Sequence, residues 1–200
     1  MLKSTRRHIM MQGSATPPEP TPQLWWSGLD GIVGGNTWVD RIRGLALEIR
    51  GDGSISHNVD NMSFTNKEWS ICWFSVPQYF TAEIDTNITH IFGHSPLLQL
   101  SHSQWRAIAT LNNNFYLYTG PSGAQYALNI PVPIGSRHKY KLALLPDGKY
   151  FYIDGVLVWN VNDGLYYAGG NTITTCGFAT LSGNYYLAQD IYDIKIWWEE

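Results

Sequence analysis

The side chains with chemistry to offer are three histidines, several tyrosine and asparagine clusters, and two cysteines. His90, His94 and His102 invite a metal reading, because imidazoles at i and i+4 suit zinc on one face of a helix. Phe92-Gly93 and Pro96 instead place them in strand and turn, where that spacing does not converge. Sugar binding asks for an aromatic ring on the apolar face of a pyranose with amides and hydroxyls along its edges. Three stretches have that makeup: Tyr166-Tyr167 beside Gly169-Gly170, Tyr185-Tyr186 after Ser182-Gly183-Asn184, and Asn112, Asn113 and Asn114 before Phe115. Adjacent tyrosines at a strand end face opposite ways, which leaves one of each pair for a ligand; the competing role is to cap a core or fill a subunit interface. Cys72 and Cys176 are too few for a disulfide framework, and each lies in an apolar run where a buried, inert thiol is expected, with a bridge between them left open. There is no Gly-x-Ser-x-Gly elbow, phosphate loop or zinc-finger spacing.

The elements that must position these groups are strands. At 200 residues the chain has room for one domain of moderate size. Charged residues make up 14% and aromatics another 14%, and 9 Trp, 12 Tyr and 7 Phe beside 19 Gly and 10 Pro exclude a helix bundle. With 13 basic and 16 acidic side chains the net charge is -3, which argues against a nucleic-acid partner and a membrane-surface role. A surface poor in charge is wetted by Asn, Ser, Thr and Tyr, which bond neutral, hydroxyl-rich ligands as readily as water. No apolar run is long enough to insert in a membrane. Lys3, Arg6 and Arg7 precede only Ile9-Met10-Met11, short of a signal-peptide core, so Sec export is not expected.

Residues 1–23 read as a basic, then Pro-rich arm or tether, with prolines at 17, 18, 20 and 22. Residues 24–200 read as a β-sandwich. In GLALEIRGDG, Leu45, Leu47 and Ile49 face one way and Ala46, Glu48 and Arg50 the other, before a turn at Gly51-Asp52-Gly53. WSICWFSVP is apolar on both faces, with Trp69, Ile71 and Trp73 against Cys72, Phe74 and Val76, so a central strand is expected there, ending at Pro77. Tyr140, Leu142 and Leu144 form one strand face, Pro146-Asp147-Gly148 turns the chain, and Asp154-Gly155 makes a two-residue hairpin. The last strand alternates Tyr192, Ile194, Ile196 and Trp198 against Ile191, Asp193, Lys195 and Trp197. Trp69, Trp73, Tyr140 and Tyr192 thus carry core periodicity. Of the doublets Trp25-Trp26 and Trp197-Trp198, one Trp each is expected to be buried and the other to serve assembly. Many short strands joined by turns, with no crossover helix and no exact repeat, make an antiparallel sandwich or barrel.

Three stretches resemble the concanavalin A-like lectin/glucanase superfamily, in particular its laminin G-like branch: GLDGIVGGNTWVDRIRGL, EWSICWFSV, and YKLALLPDGKYFYIDGVLVW with the closing DIYDIKIWW. The resemblance implies an all-β, antiparallel two-sheet jelly-roll sandwich with an extended N-terminal arm. The first block is also similar to modules of bacteriophage virion proteins and gut-bacterial surface proteins. The glucanase branch uses a strand motif similar to Glu-Ile-Asp-x-x-Glu; Glu83 and Asp85 match it, but Asn87 and Ile88 stand where the second glutamate belongs. One acid cannot serve as both nucleophile and acid/base. Many relatives bind calcium, for which Asn58, Asp60 and Asn61, and Asn160, Asn162 and Asp163, are candidates; neither set is an EF-hand loop, and such Asx residues serve first as turn formers. The expectation is a non-catalytic adhesion or decoration module on a virion surface, without a required cofactor, binding host or mucosal glycans and contacting other virion proteins through its arm. A homo-oligomer is left open. The alternatives are a purely structural virion protein (capsid decoration or fibre), a bacterial cell-surface or secreted location, and a glucanase-like hydrolase.

Overall fold

The computed structural model describes residues 20–51, 55–65, 69–100, 106–120, 124–165, 172–175 and 186–198. In chain order the strands are β1 (Leu24–Ser27), β2 (Ile32–Val33), β3 (Thr37–Val39), β4 (Ala46–Arg50), β5 (Ser56–His57), β6 (Met62–Phe64), β7 (Trp69–Cys72), β8 (Phe80–Phe92) and β9 (Ser95–Gln99). There follow β10 (Ala107–Leu111), β11 (Asn114–Gly120), β12 (Ala124–Pro131), β13 (Arg137–Leu145), β14 (Gly148–Ile153), β15 (Val156–Val161), β16 (Ile173–Thr175) and β17 (Tyr186–Trp197). One sheet runs β15-β14-β13-β8-β17-β6-β5, with β1 beside β6 on the same side of β17; the other runs β12-β11-β10-β9-β16-β7-β4-β3-β2. Every pairing is antiparallel. The architecture is the expected two-sheet sandwich, and the described residues contain no α-helix.

Turn chemistry sets the hairpin registers. Asp154 (φ 51°) and Gly155 (φ 79°) form the two-residue loop between Ile153 and its partner Val156, as the sequence predicts. Asn112 (φ 50°) and Asn113 (φ 62°) do the same between Leu111 and Asn114, using the tolerance of Asn for left-handed backbone.

The two sheets bury one core. Leu24 and Trp26 from β1, Leu47 and Ile49 from β4, Phe80, Ala82, Ile84 and Ile88 from β8, Tyr140, Leu142 and Leu144 from β13, and Ile194 and Ile196 from β17 all belong to it. The alternations read from GLALEIR and YKLALL therefore hold. Two others do not. β7 ends at Cys72, and beyond it Trp73 is 59% exposed rather than in the core. In β17 the register shifts between Ile191 and Asp193, so Ile191 is buried while Tyr192 turns outward to lie against Arg137. A one-residue bulge inverts alternation on one side of itself, and no period-2 count detects it. The Trp69 side chain and the 52–53 turn lie outside the described residues. Cys72 is a buried free thiol, pushed up to about 11 by burial and by nearby Asp40; Cys176 lies outside the described residues.

The terminal strands pair, with Trp26 buried and Trp25 half-buried. Trp197 and Trp198 are both half-buried, so neither is the fully buried member expected of that doublet. Residues 20–23, which the sequence assigns to the arm, run along the end of β17: Gln23 N–H donates to Ile196 O (2.9 Å), Trp197 Nε1 to Pro20 O (2.8 Å), and Trp198 N–H to Gln23 Oε1 (2.9 Å).

Polar links cross the core. Gln189 Nε2 donates to Thr175 Oγ1 (3.2 Å) in the facing sheet, and Thr86 Oγ1 lies 2.9 Å from Gln189 Oε1, all three side chains fully buried. Lys149, also fully buried, pairs with Asp163 at 2.7 Å and lies over the Tyr126 ring. Arg106 is 0% exposed; its guanidinium donates to the carbonyls of Pro77 (2.7 Å), Val76 (3.2 Å) and Leu100 (3.3 Å) and packs on Phe80. Burial lowers it to about 10. Each group finds partners, as a buried charge or amide must, although Arg106 Nε itself has none among the described residues.

Candidate functional site

One end of the first sheet opens into a groove of about 860 Å³, within the roughly 300–1,000 Å³ range of small-molecule sites. Among the described residues, four separate pieces of chain build it: residues 20–23, the approach to β8, the β13–β14 turn, and the end of β17. Trp197, Trp198 and Tyr79 give it aromatic walls; Gln23, Gln78 and Asp147 are among its polar groups. Trp197 is set by its indole bond to Pro20 and by Lys141, whose Nζ lies 5.7 Å from the ring centroid. Trp198 packs against Phe74, with Arg43 over both rings. Arg106, gripping the carbonyls of Val76 and Pro77 from beneath, holds the segment that carries Gln78 and Tyr79. Planar rings with amides and hydroxyls around them suit a hydroxyl-rich ligand.

Glu83 and Asp85 share one face of β8, as expected, pointing away from the core. Across that face Lys141 pairs with Glu83 (3.1 Å), and Arg137 grips Asp85 through two bonds of 2.8 and 2.9 Å while stacking 3.7 Å from the Tyr192 ring centroid. A further carboxylate, Asp193, stands opposite Asp85 on β17 and accepts from Trp25 Nε1 at 2.7 Å. Asn87 Nδ2 donates to Asp190, and Ile88 is in the core, so the matched positions hold no second glutamate.

The remaining sequence candidates are scattered. Asn112 and Asn113 form an exposed turn, with Asn114 Nδ2 closing back on Asn112 O (3.1 Å). Tyr166, Tyr167 and Tyr185 lie outside the described residues; Tyr186 opens β17 opposite Phe92, its side chain outside them too. Asp60 is exposed and accepts from Asn61 Nδ2, while Asn58 bonds Asn61 and Ser63, so this loop is knit by its own amides. Asp163 is taken by Lys149, the Tyr126 hydroxyl and the Leu165 N–H. Burial alone would raise its carboxyl, but those hydrogen bonds outweigh it and hold the group below the usual range. A lysine thus already supplies the positive charge that a cation would bring. His90 stacks on Phe92, His94 meets the Tyr118 hydroxyl and is held low by burial, and His102 lies outside the described residues.

Two features escaped the sequence. The groove's Gln23, Tyr79 and Asp147 are far apart in the chain; the available signal was that pairing of the terminal strands brings Trp197-Trp198 back to the Pro20–Gln23 segment. The other is a Ser-His-Asp line at the opposite end of β13: Ser136 Oγ is 2.8 Å from His138 Nε2, and His138 Nδ1 is 2.7 Å from Asp154 Oδ2. Asp154 also accepts from Lys139 N–H, and that bond, then the one to His138, lowers its carboxyl. The order of atoms matches a nucleophile-base-orienter relay, but Ser136 and Asp154 are open to water, unlike the buried aspartate of a working triad.

No protein-family model matches the sequence, and no curated protein matches it. Solved structures do share its fold. A Trypanosoma rangeli sialidase in complex with 2,3-difluorosialic acid is 13% identical with a TM-score of 0.66, the match covering 92% of this chain and 33% of that one. Domain 4 of AbnA, a GH43 extracellular arabinanase from Geobacillus stearothermophilus, in complex with arabinotriose, is 11% identical with a TM-score of 0.69, covering 88% and 91%. The receptor-binding domain of botulinum neurotoxin D is 13% identical with a TM-score of 0.64, covering 90% and 50%. The chain therefore spans about a third of the sialidase it matches. At these identities the likeness is one of fold, a β-sandwich shared with domains of glycan-handling and receptor-binding proteins.

Proposed function

We propose that this chain is a non-catalytic glycan-binding module of the laminin G-like kind, whose ligand lies in the groove between Trp197, Tyr79 and Asp147. The groove carries the reading: a preset aromatic platform ringed by amides and hydroxyls is the equipment of a saccharide site. The AbnA domain of the same fold, solved with arabinotriose, supports it. The non-catalytic part is supported by the ion pairs that occupy Glu83 and Asp85. As in the sequence reading, the setting proposed is a virion surface, the N-terminal residues tethering the sandwich to other virion proteins. A glycan array with the wild type and Tyr79→Ala, together with proteomics of purified particles, tests this; no glycan bound and absence from particles would overturn it.

A second reading, structural decoration without sugar binding, is favoured by β15. This edge strand of the first sheet exposes Val156 (64%), Leu157 (47%) and Val158 (36%) with no charged side chain among its residues. If assembly is its work, Leu157→Lys should abolish particle incorporation while leaving the monomer folded.

A further inference from the structure

We infer that the groove takes an uncharged saccharide and rejects its acid-bearing counterparts, an inference that rests on the glycan-binding reading above. Among the described residues that line the groove none is Lys, Arg or His, and the one charged side chain is Asp147. Of the cations packed around its walls, Lys141 and Arg106 are committed to other partners and Arg43 stacks on aromatic rings. Lys141, beside Trp197, is paired with Glu83 at 3.1 Å. Arg106, fully buried, turns its guanidinium to backbone carbonyls. Arg43 lies over the rings of Phe74 and Trp198.

A sugar carboxylate or sulfate entering this groove sheds water without gaining a cation, the situation in which burying a charge is most unfavourable. It also meets the like charge of Asp147. Neutral hydroxyls find suitable partners instead. An ionised carboxylate is acceptor-only and takes hydrogen bonds from two neighbouring hydroxyls through its two oxygens, while Gln and Thr both donate and accept. Trp197 offers its ring to the C–H face of the sugar. Its indole bond to Pro20 fixes that ring before any ligand arrives, which lowers the ordering cost of binding. Thus Asp147 selects for hydroxyls against acids, and Trp197 supplies the apolar contact.

The full chain is titrated by calorimetry against saccharide pairs in which one member carries an added acid-bearing group: lactose and 3′-sialyllactose, N-acetyllactosamine and its 6-sulfate, xylotriose and its glucuronic acid-substituted form. The neutral member of at least one pair should bind roughly tenfold or more tightly than the acidic one, and Asp147→Asn should narrow that ratio to about threefold. Trp197→Ala should weaken neutral binding by at least about tenfold. Tyr79→Ala serves as a second groove variant that spares the Pro20 bond, and far-UV circular dichroism checks each fold. An acidic member bound as tightly as its neutral partner overturns the inference and leaves the glycan reading standing. Neutral binding untouched by both aromatic variants removes the ligand from the groove. No saccharide of either kind bound by the folded wild type overturns the glycan reading itself.

Discussion

Replacing Asp163 by Asn should destabilise the sandwich far more than replacing Lys149 by Met, although the two side chains form one ion pair. Lys149 is 0% exposed, its Nζ 2.7 Å from Asp163 Oδ1 and 3.5 Å from the Tyr126 hydroxyl, whereas the Asp163 side chain keeps 20% of its surface in water. Asp163→Asn strands a buried ammonium with neutral partners. Breaking such a pair costs about 3–5 kcal/mol when both ions are buried, and the partial hydration of Asp163 brings the expectation to roughly 2–3 kcal/mol. For a chain of this size that is a Tm loss of roughly 4–12 °C. Lys149→Met removes the ion that cannot reach water and puts a thioether against Tyr126, at a cost of about 1 kcal/mol or less. Urea denaturation at pH 7 gives both values. The Asp163 carboxyl is lowered on folding, so its contribution is fully present above the unfolded value of 3.8 and is lost as pH falls through the folded one. Wild type should therefore lose stability in that acid range by an increment that Asp163→Asn lacks. Equal losses from the two substitutions would refute the reasoning, as would a calcium-induced rise in Tm that disappears in Asp163→Asn.

Arg106→Lys should lower stability by about 2 kcal/mol and weaken groove binding as well, because one ammonium cannot replace a guanidinium bonded to several carbonyls; denaturation and calorimetry read the two effects, and unchanged ligand affinity would show that Arg106 does not hold the groove. Ser136 should stay unlabelled by a fluorophosphonate probe, as intact-mass spectrometry would show; labelling that His138→Ala abolishes would overturn the non-catalytic reading. Cys72, raised to about 11, is only about 0.1% thiolate at pH 8, so in a Cys176→Ser variant Ellman's reagent should reach it only as the fold opens, and rapid reaction of that variant in native buffer would contradict its burial.

What lay open in the sequence was whatever depends on neighbours along the chain. The Asp154-Gly155 hairpin, the buried face of Leu47 and Ile49 and the core face of Tyr140, Leu142 and Leu144 follow from backbone preference and period-2 alternation, which act over two to six residues. The matching of Glu83 and Asp85 to a single strand face is equally local. The bulge that turns Tyr192 outward is a local irregularity with no compositional mark, and the end of β7 before Trp73 depends on what the rest of the molecule offers as cover.

The sequence by itself determined an all-β chain with a lightly charged, hydroxyl- and amide-rich surface, because composition sets strand propensity and surface polarity without any knowledge of contacts. Only the tertiary structure decided that Asp163 answers to Lys149, that Arg106 anchors the Val76–Gln78 segment, and that Gln23, Tyr79, Asp147 and Trp197 meet at one groove. Lys149 and Asp163 are 14 positions apart, and the other contacts join residues 28 or more apart. The groove residues come together because sheet pairing closes β1 on β17 and β13 on β8, which no short-range rule of the chain carries, whereas Lys149 meets Asp163 just beyond its hairpin partner Val161.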